Sequence, residues 1–134
     1  MSRVVNFEIS TNDPERTVQF YGKVFKWKME KHDPFEYWLV NTGNDEMSIN
    51  GAIKLNKFDI GVSNTILVDN YDEFANKIEK AGGKSLSGII YIPKLGVTGT
   101  FQDTEGNKFA ILEYGKKLRI HNKVVEGDIN ESIC

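Results

Sequence analysis

The sequence predicts an α+β fold made of two similar halves, each ordered strand–helix–strand–strand–strand. Three observations carry that prediction. First, two segments show helical stripes behind good caps: Asp13-Pro14 leads into Val18, Tyr21, Val24 and Phe25, and Asn70 leads into Phe74, Ala75, Ile78 and Ala81. Second, sliding the first half onto the second places Asn6 on Ser63, Asp13 on Asn70, Val18 on Ala75, Tyr21 on Ile78 and Val24 on Ala81. Identities are few, but element order and stripe phase agree, which marks an internal repeat. Third, Gly99 to Tyr114 reads as a β-hairpin, two apolar runs joined by Asp103-Thr104-Glu105-Gly106-Asn107. Gly106 supplies the positive φ of such a loop, and Asp103 can bond its own backbone two residues on.

Taken in order, Val4 to Ser10 is a short β-rich strand. Asp13 caps the first helix and Pro14 takes its first position, where a missing N–H costs nothing. Trp27 to Glu30 alternates as a strand does. His32-Asp33-Pro34 breaks it, because a residue before proline avoids the helical region. Phe35 to Asn41 is the next strand, Thr42 to Asp45 turns, and Met47 to Leu55 returns. Gly51 inside that return marks a bulge or a close approach by another group. Lys54 to Val62 lacks periodicity and reads as a linker. Asn64 to Val68 then opens the second half as a strand. Gly82-Gly83 ends the second helix, and Ser85 to Ile92 is a single strand before the hairpin.

The chain of 134 residues is expected to be one domain over 1–115, with modules at about 1–56 and 62–115. Residues 116–134 form a tail or docking arm, with a polar end from Glu126. Hydrophobic residues make up 40% and charged residues 27%, and the net charge is −2, which favours neither nucleic acid nor an anionic membrane. There is no apolar run of membrane-helix length and no signal-peptide pattern, so a cytoplasmic protein is expected. With Cys134 the only cysteine, no internal disulfide forms.

The order and spacing of several short pieces resemble the vicinal oxygen chelate superfamily, especially its short glyoxalase-like and bleomycin-resistance-like members. The pieces are Asn6-Phe7-Glu8-Ile9, Asp13-Pro14-Glu15-Arg16, Ile49-Asn50-Gly51, Val68-Asp69-Asn70-Tyr71-Asp72, Ala81-Gly82-Gly83-Lys84 and the 103–107 turn. The resemblance implies paired βαβββ modules, a curved eight-stranded cup with helices outside, and a homodimer. It also implies where a divalent metal would sit in the metalloenzymes of that superfamily. At those positions this chain carries Asn6, Ser63 and Ala110, and neither histidine nor carboxylate near Asn50-Gly51. A transition-metal site needs three or four converging N, O or S donors. Asn6, with Glu8 recruited beside it, falls short. No metal and no other cofactor is therefore expected, and the metal-stabilised enediolate chemistry of glyoxalase I is not implied.

Six residues are candidates for ligand contact: Asn6, Glu8, Trp38, Asn50, Ser63 and Thr65. If Phe7 and Ile9 face the helices, Asn6 and Glu8 face the concave side of the sheet. There Glu8 is either a base or a hydrogen-bonded carboxylate with no catalytic part. Asn50 either contacts ligand or ties down the chain at Gly51. Trp38 belongs to a set of late-strand aromatics with Phe35, Tyr37, Tyr91, Phe101 and Tyr114, of which alternation lets about half face one side. Aromatics of this kind more often fill cores or interfaces than stack on ligands. Glu113 is out of phase with Ala110 and reads as structural. His32 and His121 have no triad partners at motif spacing, and Gly82-Gly83 follows a helix, the wrong end for a phosphate.

The expected function is a glyoxalase-like small-molecule-binding protein without the metal-ligand set, its ligand unknown. The alternative is a lyase, isomerase or dioxygenase-like enzyme using Glu8 and a non-standard site. The resemblance to lactoylglutathione lyase-related proteins leaves the choice open.

Overall fold

A computed structural model of the chain describes residues 2–32, 36–115, 118–120 and 123–125. The chain divides into two compact units, one spanning Val5–Asn64 and the other Thr65–Cys134 with the first four residues.

The first unit follows the predicted order: β1 (Arg3–Thr11), α1 (Pro14–Phe25), β2 (Lys28–Lys31), β3 (Tyr37–Asn41) and β4 (Asn50–Leu55). Its strands lie in the order β2-β3-β4-β1, with β4 parallel to β1 and antiparallel to β3. Asp13 caps α1 as expected, its carboxylate accepting from the Arg16 N–H at 3.1 Å, and Pro14 follows it. The helix stops at Lys26, which takes the left-handed conformation usually left to glycine and donates its N–H to Gly22 O at 3.0 Å.

Ile9, Val40 and Ile53 form the core of this unit, with Phe7, Val18, Tyr21, Trp27, Met29 and Trp38 packed round them. Only part of the predicted helix stripe reaches it. Val24 and Phe25 are more than half exposed; Phe25 instead stacks on Tyr21 and Trp27, with ring centroids 6.0 and 5.4 Å away. Gly51 is a close approach rather than a bulge. It pairs with Phe7, and a Cβ there would lie 2.6 Å from the Phe7 ring.

The strand predicted from Met47 starts later, at Asn50. Asp45 holds the turn longer than the pattern suggested: its carboxylate accepts from Met47 N–H at 2.8 Å and from the Ser48 hydroxyl at 3.1 Å. The first of these bonds takes a backbone N–H that a strand would have used.

β5 (Gly61–Leu67) begins in the first unit and ends in the second, which continues with α2 (Tyr71–Lys80), β6 (Lys84–Ser85), β7 (Ile90–Ile92), β8 (Gly96–Gln102) and β9 (Lys108–Tyr114). β5 starts inside the predicted linker, three residues before Asn64. The expected 85–92 strand is two short pieces, both antiparallel to β8. Serine chemistry interrupts it. The Thr100 N–H donates to Ser87 Oγ at 2.8 Å, and the Gly88 N–H donates to Ser85 Oγ at 3.1 Å. Hydroxyls thus replace ladder carbonyls, and Gly88 turns through a positive φ of 74°.

The predicted hairpin is present as β8 and β9, paired from Gly96↔Tyr114 to Gln102↔Lys108. Asp103 Oδ1 accepts from the N–H groups of Glu105 and Asn107 at 2.8 and 2.9 Å, and Gly106 has φ 88°. The core of the unit is Val68, Tyr71, Val97, Phe101 and Ile111, against which Phe74, Ala75 and Ile78 of α2 pack. Beyond it, β10 (Leu118–Ile120) and β11 (Lys123–Val125) pair as a separate antiparallel ribbon. The predicted loose end at 126–134, with Cys134, and also His121, Phe35 and the Asp33-Pro34 break, lie outside the described residues.

Candidate functional site

Strand alternation sorts the candidates by face. Phe7 and Ile9 pack on the α1 side of the first unit. Asn6, Glu8 and Ser10 therefore share the opposite face of β1. The register adds Asn50, Ala52 and Lys54 from β4, opposite Asn6, Glu8 and Ser10 in turn. β3 adds Leu39 beside Ala52 and Tyr37 beside Lys54. The face thus has a row of asparagines at one end, Leu39 and buried Ala52 in the middle, and a charged pair at the other end.

That pair is Glu8 and Lys54. Lys54 Nζ lies 3.0 Å from Glu8 Oε1, the two side chains being 36% and 30% exposed. Lys54 was not singled out from the sequence. The one signal for it there is its two-residue spacing from Ala52 on the Asn50 face. Next to it, Tyr37 packs edge-on against His32, whose ring nitrogen is 3.9 Å from Glu30.

Asn50 ties down the turn. Its Oδ1 accepts from the Thr42 N–H at 3.0 Å, while the Thr42 hydroxyl donates to Ile49 O at 2.7 Å. By its register opposite Asn6, Asn50 is in phase with the Glu8 face. Trp38 is on the other side. It pairs with Ile53, packs against the α1-side cluster and carries Lys31 Nζ 5.6 Å over its ring. Phe101 and Tyr91 are committed to the core of the second unit in the same way. Of the late-strand aromatics among the described residues, Tyr37 and the exposed Tyr114 point away from the helices.

Ser63 and Thr65 share one face of β5, because Ile66 and Val68 pack on the α2 side. Ala110 lies opposite Thr100, on the face of the hairpin away from α2. Glu113 is out of phase with it, as predicted, and its carboxylate accepts from the Tyr71 N–H at 2.7 Å. The chemistry of the positions that would bind a metal does not fit one. Ala110 has no donor atom, Ser63 offers a neutral hydroxyl, and the nearest carboxylate to Asn6 on its own strand, Glu8, is engaged by Lys54. Among the described residues no group of three or more His, Cys, Asp or Glu could hold a metal ion. Nor, among them, is any helix long and apolar enough to cross a membrane.

Residues 3–43 match a family model described as bleomycin resistance protein-like N-terminal. No curated protein sequence matches the chain. Solved structures do. A glyoxalase/bleomycin resistance protein/dioxygenase superfamily member from Vibrio splendidus is 14% identical, with TM-score 0.60 over 84% of this chain and 99% of that one. Methylmalonyl-CoA epimerase from Mycobacterium tuberculosis is 10% identical, with TM-score 0.59 over 84% of this chain and 87% of its own. The Streptomyces coelicolor epimerase, in complex with 2-nitronate-propionyl-CoA, is 15% identical with TM-score 0.58, over 84% and 97% of the two chains. At these identities the likeness is one of fold.

Proposed function

Taking the chain as one with the α+β fold of the glyoxalase/bleomycin-resistance superfamily, resembling the vicinal oxygen chelate family, we propose that it binds a small organic molecule without a metal. The site is the polar face of the first unit away from α1, formed by Asn6, Glu8 and Asn50; Ser63 and Thr65, which share one face of β5, are proposed separately as ligand contacts. Trp38 is left out because its ring is spent on the α1-side core. One observation carries the reading: this face sets the polar side chains of Asn6, Glu8 and Asn50 beside the half-buried Leu39, over a buried Ala52. A similar fold in complex with 2-nitronate-propionyl-CoA, that of the Streptomyces coelicolor epimerase, supports small-molecule binding in a general way. The reading includes a homodimer in the cytoplasm, with neither nucleic acid nor membrane as partner.

A panel of small aromatic and carbonyl compounds tests it by thermal shift. Stabilisation that is lost in Glu8→Gln or Asn6→Ala supports the site; no stabilisation by any compound sinks it. Light scattering of the purified chain checks the dimer.

A second reading, an isomerase or lyase using Glu8 as base, has in its favour that two of the similar structures are epimerases. Elemental analysis for stoichiometric metal, and turnover assays of Glu8→Gln against the native chain, separate it from simple binding.

A further inference from the structure

Lys54 is the residue on this face that neither the family resemblance nor the motif reading assigns. Resting on the binding site proposed above, we infer that Glu8 and Lys54 act together as its polar end. They select an uncharged group with a donor and an acceptor side by side, a primary carboxamide, over a carboxylate or an amine.

The argument is one of valence and charge. An ammonium has three N–H donors and a carboxylate has two oxygens, each with room for more than one hydrogen bond. Their mutual contact at 3.0 Å uses one donor and one oxygen. Among the described residues neither group makes another hydrogen bond or ion pair, so a donor of Lys54 and an oxygen of Glu8 stay open next to each other. The pair is neutral as a whole. An incoming carboxylate that reached Lys54 would also lie within a few ångströms of Glu8 and be repelled; an amine that reached Glu8 would meet Lys54. A carboxamide escapes both penalties, since its carbonyl accepts from Lys54 and its NH₂ donates to Glu8. The strands hold the pair in place. Glu8 on β1 is opposite Ala52 on β4, and Lys54 on β4 is flanked by Ser10 of β1 and Tyr37 of β3. The other carboxylate on this face of β2, Glu30, lies beside His32 rather than beside Lys54. Leu39 and Tyr37, both half-buried, give the ligand's body an apolar rest.

Three probes of one shape and different charge decide it: benzamide, benzoate and benzylamine, each titrated into the isotope-labelled native chain and followed by backbone-amide NMR. Benzamide should shift the Glu8, Ala52 and Lys54 amides saturably and bind about threefold or more tighter than either charged probe. In Glu8→Gln, which leaves Lys54 unpaired, benzoate should overtake benzamide. In Lys54→Met benzylamine should overtake it. Amide dispersion in the same spectra reports that each variant is folded. An order of affinities unchanged by the two substitutions overturns the inference. So does benzamide binding that moves Asn6, Ser63 and Thr65 but not Glu8 and Lys54, a result that would leave the binding reading standing. No saturable shift on this face with any probe would overturn both.

Discussion

The carboxylate of Glu113, in the last strand of the hairpin, accepts a hydrogen bond from the backbone N–H of Tyr71, the first residue of α2, at 2.7 Å. The two residues are far apart in sequence, yet the contact does what a local cap does. It satisfies one of the free N–H groups at a helix start and puts a negative charge at the positive end of the dipole. Asn70 caps the same helix from its own side chain, accepting from the Glu73 N–H at 3.0 Å. α2 is therefore fastened to its sheet by a charge as well as by its apolar stripe.

Glu113→Ala should lower stability by about 1–2 kcal/mol, and Glu113→Gln by less, since the amide keeps an acceptor and loses only the charge. Urea unfolding of the three chains measures this. No loss in Glu113→Gln would show that charge has no part in the cap, and equal losses in the two variants would show that a neutral acceptor contributes nothing there.

Gly99 and Tyr71 are matched. A Cβ at Gly99 would run into the Tyr71 hydroxyl and lie 2.7 Å from Gly88 O. Gly99→Ala should cost about 1–3 kcal/mol. Tyr71→Phe should recover part of that loss and not all of it, because the Gly88 carbonyl remains. No recovery in the double variant would place the strain elsewhere. Burial, and then the nearby Asp72 charge, hold the Tyr71 phenol above its ordinary pKa. Its native form is thus the neutral one. The associated stability is present below the ordinary tyrosine value of about 10 and is lost as pH rises beyond it. Tyr71→Phe should flatten the alkaline limb of stability.

Lys26 ends α1 with φ 63°, a conformation that costs a side-chain-bearing residue free energy. Lys26→Gly should stabilise the chain by about 0.5–1 kcal/mol, glycine's greater freedom when unfolded offsetting part of the relief. A lower midpoint in thermal unfolding would mean that the lysine makes a contact worth more than its strain.

Asp103 is held below the ordinary aspartate pKa, first by the Asn107 side-chain amide, then by the backbone N–H groups of Asn107 and Glu105. The charged form is the bound one. Its contribution is present above about pH 4, the ordinary value, and disappears as pH falls through the lowered native value. The stability gap between the native chain and Asp103→Ala should be widest near neutrality and close in acid. A gap constant from neutral pH to strong acid would rule out the carboxylate as the group that holds the turn.

The amino-acid sequence by itself determined the repeat, the helix caps, the hairpin with its Asp103 turn, and the side to which Glu113 points. Each is local chemistry or strict periodicity, legible without knowing what the strands pack against. The late start of β4 and the split at Ser87-Gly88 were not legible. There, side-chain oxygens compete with the backbone for donors, and only the positions of Asp45, Ser85 and Ser87 against their neighbours settle which wins. The face taken by Trp38 was hidden for a similar reason: alternation fixes which aromatics share a side, and pairing with Ile53 decides which side that is. Likewise Glu8 was a visible candidate, but its partner was not. Only the parallel register of β1 on β4, which places Ser10 opposite Lys54, brings the lysine to within 3.0 Å of the carboxylate.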